Sequence, residues 1–112
     1  MIKLSKIDGT ELWQLEQDLV VKGYFTVPRF FITDLASVPS WLRGIVDNSS
    51  DDIVLPSIAH DFSYHKDFPH KWQRKTCDLM LYKLCLRHNM PEWKANAVYY
   101  AVRWGGASNF RK

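Results

Sequence analysis

Short runs of apolar residues, broken by polar ones, fill the first 28 positions of the chain. Residues 2–7 and 11–15 repeat with a period of two, which puts every second side chain on one face of a strand. Asp8-Gly9 between them is a two-residue hairpin signal. Two further short runs, residues 19–21 and 24–27, are separated by Gly23 and closed by Pro28, a residue that cannot continue a sheet ladder. These runs predict a small antiparallel sheet.

The pattern then changes. Residues 29–52 show no period and read as irregular, with a short helix over residues 40–45 and a polar surface loop over 47–52. Three helical segments follow, each behind a proline. Pro56 is read as the first-turn residue of a helix reaching residue 66, because a proline there loses no intrahelical hydrogen bond. Pro69 opens a second helix ending near His88 and Asn89, and Pro91 opens a third that stops at Gly105-Gly106. The third carries Trp93, Val98, Tyr100, Val102 and Trp104 and is apolar nearly all round, so it is expected at the centre. The fold class predicted is α+β, a single domain over residues 1–112. Residues 1–28 form the sheet, 29–52 a loop region and 53–106 a three-helix core.

Composition narrows the function classes. Fifteen Lys and Arg against twelve Asp and Glu leave a formal charge of +3. That balance allows contact with phosphate-bearing surfaces without demanding it. The one dense basic patch, residues 71–75, reads as a solvated helix face, so nucleic acid is not the expected partner. Cys77 and Cys85 stand eight residues apart on one helix, about 12 Å along its axis, too far for a disulfide. They are expected as buried thiols of a reducing compartment. The first residues lack a signal-peptide apolar segment, and nowhere do eighteen apolar residues run together, so a soluble, unexported chain without a transmembrane segment is expected.

Candidate chemistry centres on Ala59-His60-Asp61-Phe62-Ser63-Tyr64. On a helix His60 and Tyr64 share a face, and Asp61 is turned about 100° away, so imidazole and carboxylate serve different neighbours. Asp78 lies eighteen residues after His60, and the chain turns near Phe68-Pro69. In an antiparallel helix hairpin the two come level, and a carboxylate facing an imidazole fixes its tautomer and supports a general base. The structural alternative for Asp78 is an ion pair with Arg74 on its own helix. Asp34, in Thr33-Asp34-Leu35, either caps a short helix or joins Asp61 in offering carboxylate oxygen to a hard cation.

Together these segments resemble two groups of proteins. The pattern Val-Pro, Thr-Asp-Leu-Ala-Ser-Val-Pro, His-Asp-x-x-Tyr and Ala-Val-Arg-x-x-Gly, from residue 27 to 106, resembles an uncharacterised family of small phage and prophage proteins. More distantly, the Thr-Asp-Leu loop, the His-Asp-x-x-Tyr helix, Asp78 on a partner helix and Tyr99-Tyr100 on a closing helix resemble the small prokaryotic and fungal phospholipases A2. The second resemblance implies roles. His60 would activate the water that attacks the ester, Asp78 would orient His60, and Tyr64 with Tyr100 would hydrogen-bond Asp78. Asp61 and Asp34, with the Leu35 carbonyl, would hold Ca2+. Arg103 is assigned either to substrate phosphate or to a pair with Asp61 or Asp34.

The chain departs from the phospholipase pattern in three ways: it has no secretion signal or disulfide pairs, a longer stretch between Asp34 and His60, and an added amino-terminal sheet. A phage origin implies synthesis in the host cytoplasm and packaging in the virion, with phospholipid membrane or other virion proteins as partners. The alternative is a non-enzymatic virion, tail or host-interaction protein that uses the same residues as a buried polar network. A His-Asp phosphohydrolase would need a histidine upstream of His60, whereas His65, His70 and His88 all follow it. No zinc-type ligand spacing, phosphate loop or Gly-x-Ser-x-Gly elbow is present. Trp41 beside Leu42 is the expected exposed pair for docking on a bilayer.

Overall fold

Two β-hairpins open the fold of the chain, whose computed structural model describes residues 2–34 and 51–111. In the first, β1 (Leu4–Lys6) and β2 (Trp13–Leu15) run antiparallel, with Leu4 opposite Leu15 and Lys6 opposite Trp13. Their turn is wider than a two-residue one. Ile7 N–H donates to Leu12 O at 3.0 Å, so the loop covers residues 8–11. Thr10 sets its width: the hydroxyl donates to Ile7 O at 2.8 Å and accepts Leu12 N–H at 3.0 Å. In the second hairpin β3 (Leu19–Val21) pairs with β4 (Phe25–Val27) about Gly23, whose φ of +88° a side chain would strain. A fifth strand, β5 (Ile32–Thr33), adds to β2 with Thr33 opposite Trp13. It lies in the stretch read as irregular, because two residues are too few to show a period. The result is a three-stranded sheet β1-β2-β5 beside the two-stranded β3-β4.

Three fourteen-residue helices follow: α1 (Asp51–Tyr64), α2 (Arg74–Arg87) and α3 (Glu92–Gly105), so the chain is α+β as its pattern predicts. Two of the predicted starts move. Pro56 stands inside α1, five residues past its first, where it lacks the N–H for an i−4 bond. α2 begins at Arg74 rather than at Pro69. Trp72 explains the delay: its ring packs 5.7 Å from Phe25 and 5.3 Å from Phe68, and Gln73 is extended at ψ 155°. The patch over residues 71–75 is therefore mostly not helical, although Lys71 and Lys75 are exposed as expected. α2 ends where predicted, with Asn89 in the left-handed region at φ +67°. Pro91 precedes α3, and Gly106 caps it.

The layering corrects the placement of α3. α2 packs against both α1 and α3, and α1 also meets β4 and β5. From Ser57 to Tyr64 every residue of α1 except Asp61 is buried, so α1 occupies the centre and α3 the outside. Leu15, Val21 and Val27 of the sheets meet Ile58, Phe62, Met80 and Leu84 in one apolar cluster. Leu81 and Cys85 on the other side of α2 meet Val98, Ala101 and Val102 of α3 in a second. Cys77 and Cys85 are buried and form no disulfide, in keeping with their spacing. Among the described residues no helix is long and apolar enough to cross a membrane. The helix expected over residues 40–45, Leu35 as a metal ligand and the Trp41–Leu42 pair lie outside the described residues.

Candidate functional site

α1 and α2 bring His60 and Asp78 level. His60 Nε2 lies 2.7 Å from Asp78 Oδ1, with His60 3% exposed and Asp78 fully buried. Tyr64, one turn along α1, donates its hydroxyl to the same Asp78 oxygen at 2.5 Å. The Tyr64 ring centre lies 4.2 Å from that of the imidazole and 5.1 Å from that of Phe110.

The second oxygen of Asp78 faces arginines. Arg103 Nη1, from α3, donates to Oδ2 at 2.8 Å, and Arg74 Nη1 approaches the same atom at 3.6 Å. The i−4 pair and the imidazole contact therefore coexist. Arg74 also donates to the carbonyls of Val102 and Arg103 at 3.1 and 3.2 Å, which ties α2 to the carboxyl-terminal end of α3.

Burial and hydrogen bonding pull against each other at Asp78. Burial pushes the Asp78 carboxyl toward the neutral form, but hydrogen bonds from His60, Tyr64 and Arg103 outweigh it and hold the group below the usual carboxylate range. An ionised carboxylate only accepts hydrogen bonds. His60 Nε2–H therefore donates to Asp78. Burial, then the bond to Asp78, pushes the Tyr64 hydroxyl well above its ordinary value, so it stays a donor. The bond to Asp78 likewise raises Arg103.

Asp61 points elsewhere, as its position one residue along α1 requires. Burial raises its carboxyl, a hydrogen bond with Thr33 offsets part of that, and the neighbouring charge of Asp34 raises it further. β5 thus brings Thr33 and Asp34 to Asp61. Two carboxylates and a hydroxyl are oxygen donors of the kind a hard cation takes, and a cation would relieve their mutual repulsion. The donor set fits Ca2+ in kind, with carbonyls or water needed to complete six to eight ligands. Among the described residues no group of three or more His, Cys, Asp or Glu side chains is arranged to hold a metal.

Two assignments change. Tyr100 does not join the network: it is 60% exposed, and its ring packs against Tyr99 at 5.2 Å. Helix rotation decides this, because Tyr100 lies opposite the buried face formed by Ala95, Val98 and Val102. Arg103 pairs with neither Asp61 nor Asp34 but with Asp78, and fills the role that Tyr100 was expected to share.

Three contributors escaped the sequence reading. Arg111 donates to the carbonyls of Ser63 and His65 at 2.7 and 3.1 Å and to that of Trp72 at 2.9 Å, so it caps the end of α1 that has no basic residue of its own. Thr33 looks like an ordinary strand residue until its side chain meets Asp61. Gly106 reads only as a helix stop, yet a Cβ there would come within 2.8 Å of the Tyr64 hydroxyl. The groove of about 470 Å³ lined by Lys3, Gln14, Arg29 and Phe30, among others, shares no residue with the network.

A family model described as a protein of unknown function, DUF1353, matches residues 13–102. The chain belongs to the DUF1353 family. No curated protein and no solved structure matches it. The DUF1353 match runs from β2 to α3 and so includes His60, Asp61, Tyr64 and Asp78, and also Arg74. Arg103, Gly106 and Arg111 fall just beyond its end.

Proposed function

We propose that this DUF1353 protein hydrolyses an ester bond of phospholipids, with His60 as general base, in the manner of a phospholipase A2. The observation that carries the reading is the 2.7 Å contact between His60 Nε2 and the ionised Asp78, braced by Tyr64. With Nε2–H donated to Asp78, His60 Nδ1 takes a proton from water. The oxygen of that water bonds to the acyl carbon, and the tetrahedral adduct collapses to expel the alkoxide of the lysophospholipid. That alkoxide recovers the proton from His60. Asp78 stabilises the imidazolium that forms in between and keeps the ring in one orientation. Calcium held by Asp61 and Asp34 would polarise the ester carbonyl and bind phosphate.

A second reading is favoured by one observation. His60 is 3% exposed, and Asp78 is already balanced by two arginines. Such a network can serve as the polar core of a non-enzymatic phage virion, tail or host-interaction protein. Against it stands the energetics of burial: an enclosed ion pair adds little net stability over apolar packing, and perturbed titratable groups gather at functional sites.

The readings separate in one assay, release of fatty acid from mixed phospholipid vesicles with and without calcium, by wild type and by His60→Ala. Product that needs both calcium and His60 supports the hydrolase. A folded wild type that releases none sinks it and leaves the polar core.

A further inference from the structure

Tyr64 stands at the least secure place in the network. It is the last residue of α1, and helix ends fray because the carbonyls of the final turn have no partner within the helix. Its hydroxyl nevertheless donates to the Asp78 oxygen that His60 also uses. A tyrosine that left with a fraying turn would take away one of the three bonds that hold Asp78 as a carboxylate.

Residues 106–111 hold that tyrosine by its carbonyl, its ring and its hydroxyl. Arg111 N–H donates to the Tyr64 carbonyl at 2.6 Å, while Arg111 Nη1 donates to the carbonyls of Ser63 and His65 at 2.7 and 3.1 Å. The ring of Phe110 packs edge-on against that of Tyr64. Gly106 leaves the room that the hydroxyl occupies. Three successive carbonyls centred on Tyr64 are thus taken by one arginine, whose guanidinium also reaches the Trp72 carbonyl and lies over the rings of Phe68 and Phe110. Among the described residues that guanidinium forms no ion pair, so its donors are committed to the end of α1. The φ of Arg111, +61°, lies in the left-handed region, which a residue with a long side chain keeps only where its surroundings hold it there.

We propose that Arg111 is a positioning residue for His60. It acts through Tyr64: closing the last turn of α1 keeps the Tyr64 hydroxyl on Asp78, and Asp78 keeps the imidazole in one orientation. The inference rests on the reading of His60 as a general base only for its effect on turnover.

The test is the His60 Nε2–H resonance in nitrogen-15 NMR spectra of the full chain, assigned by its loss in His60→Ala. Wild type is compared with Arg111→Gln, Tyr64→Phe and the double variant. Wild type should show a downfield Nε2–H that exchanges slowly with solvent. In Arg111→Gln the resonance should move and exchange about tenfold faster, the equivalent of one net hydrogen bond. Tyr64→Phe should do the same, and Arg111→Gln should add nothing to it, since the two residues act in series. Arg87→Gln is the control for lost stability alone: it removes a 2.7 Å bond to the Lys22 carbonyl and should leave the resonance in place. If Arg111→Gln does not fold, Arg111→Lys, which keeps the charge but not the fork, should give a smaller change in the same direction. An unchanged resonance in the folded Arg111 variant, an equal change in Arg87→Gln, or additive effects of Arg111→Gln and Tyr64→Phe overturns the proposal. So does a wild type without a protected Nε2–H. In hydrolysis of phospholipid vesicles Arg111→Gln should lower kcat more than it raises KM. A changed resonance in a protein whose wild type cleaves no ester supports the positioning role and counts against the hydrolase reading alone.

Discussion

Replacing Gly106 by alanine tests whether the fold packs tightly behind Tyr64. A Cβ there would lie 2.8 Å from Tyr64 Oη, 3.1 Å from its Cε2 and 2.6 Å from the Val102 carbonyl oxygen. Ordinary contact begins near 3.4 Å, so the tyrosine must retreat by about 0.6 Å. It packs against both His60 and Phe110, and its bond to Asp78 starts at 2.5 Å. Overpacking of this kind costs about 1–3 kcal/mol, and a weakened charge-assisted bond adds about 1 kcal/mol. A loss of roughly 2–4 kcal/mol lowers Tm by about 8–16 °C in a domain of this size. Gly105 is the control, because nothing lies within 4 Å of a Cβ there. Gly105→Ala should leave Tm unchanged or raise it slightly, since alanine favours the helix. The assay is thermal unfolding of the three proteins by circular dichroism. Gly106→Ala within about 1 °C of wild type, or equal losses in both variants, would refute the packing argument.

Acid unfolding should report Asp78. Its folded carboxyl is held below the unfolded value, so its contribution is full above the ordinary carboxylate range and disappears as pH falls through the folded value. Asp61 has the opposite sign: its raised carboxyl costs stability as pH rises past the unfolded value, so Asp61→Asn should help near neutrality. Urea midpoints between pH 2 and 7 should show Asp78→Asn with a flatter acid limb than wild type; an unchanged limb contradicts the assignment. Arg103→Gln should destabilise by about 1–2 kcal/mol, since Asp78 keeps His60, Tyr64 and Arg74. Arg103→Gln unfolding at the wild-type urea midpoint would count against the 2.8 Å contact. Calcium binding, read by calorimetry, should weaken as pH falls and Asp61 takes up protons, and Asp61→Asn should reduce it at pH 7. Binding indifferent to both changes would move the cation away from Asp61.

Much of the candidate site was legible because helix geometry is periodic. Eighteen residues about a turn bring His60 level with Asp78, and a one-residue step sends Asp61 to a different neighbour. That inference survived even though α2 begins five residues after its proline, because the facing positions lie well inside both helices. Helix starts were less legible. Proline signals a first turn only where tertiary packing agrees, and Trp72 docks into the aromatic cluster instead. The aromatic content of α3 misled for a related reason: apolar pattern records that a face needs covering, not whether this chain covers it. Arg111 and Gly106 left no readable trace, since their partners on α1 lie more than forty residues away. Arg103 was visible as a cation seeking an anion, but substrate phosphate, Asp61 and Asp34 were its candidates, and packing set it against Asp78 instead.

Hydrolysis of ester-linked phosphatidylglycerol vesicles in water enriched in oxygen-18, with calcium present, tests the role of His60 most directly. Activated water that attacks the acyl carbon leaves one heavy oxygen in the fatty acid and none in the lysophospholipid. The account predicts that labelling for wild type, with the rate of His60→Ala reduced by at least about a hundredfold. Fatty acid without label, label in the lysophospholipid, or equal rates from the two proteins would contradict it.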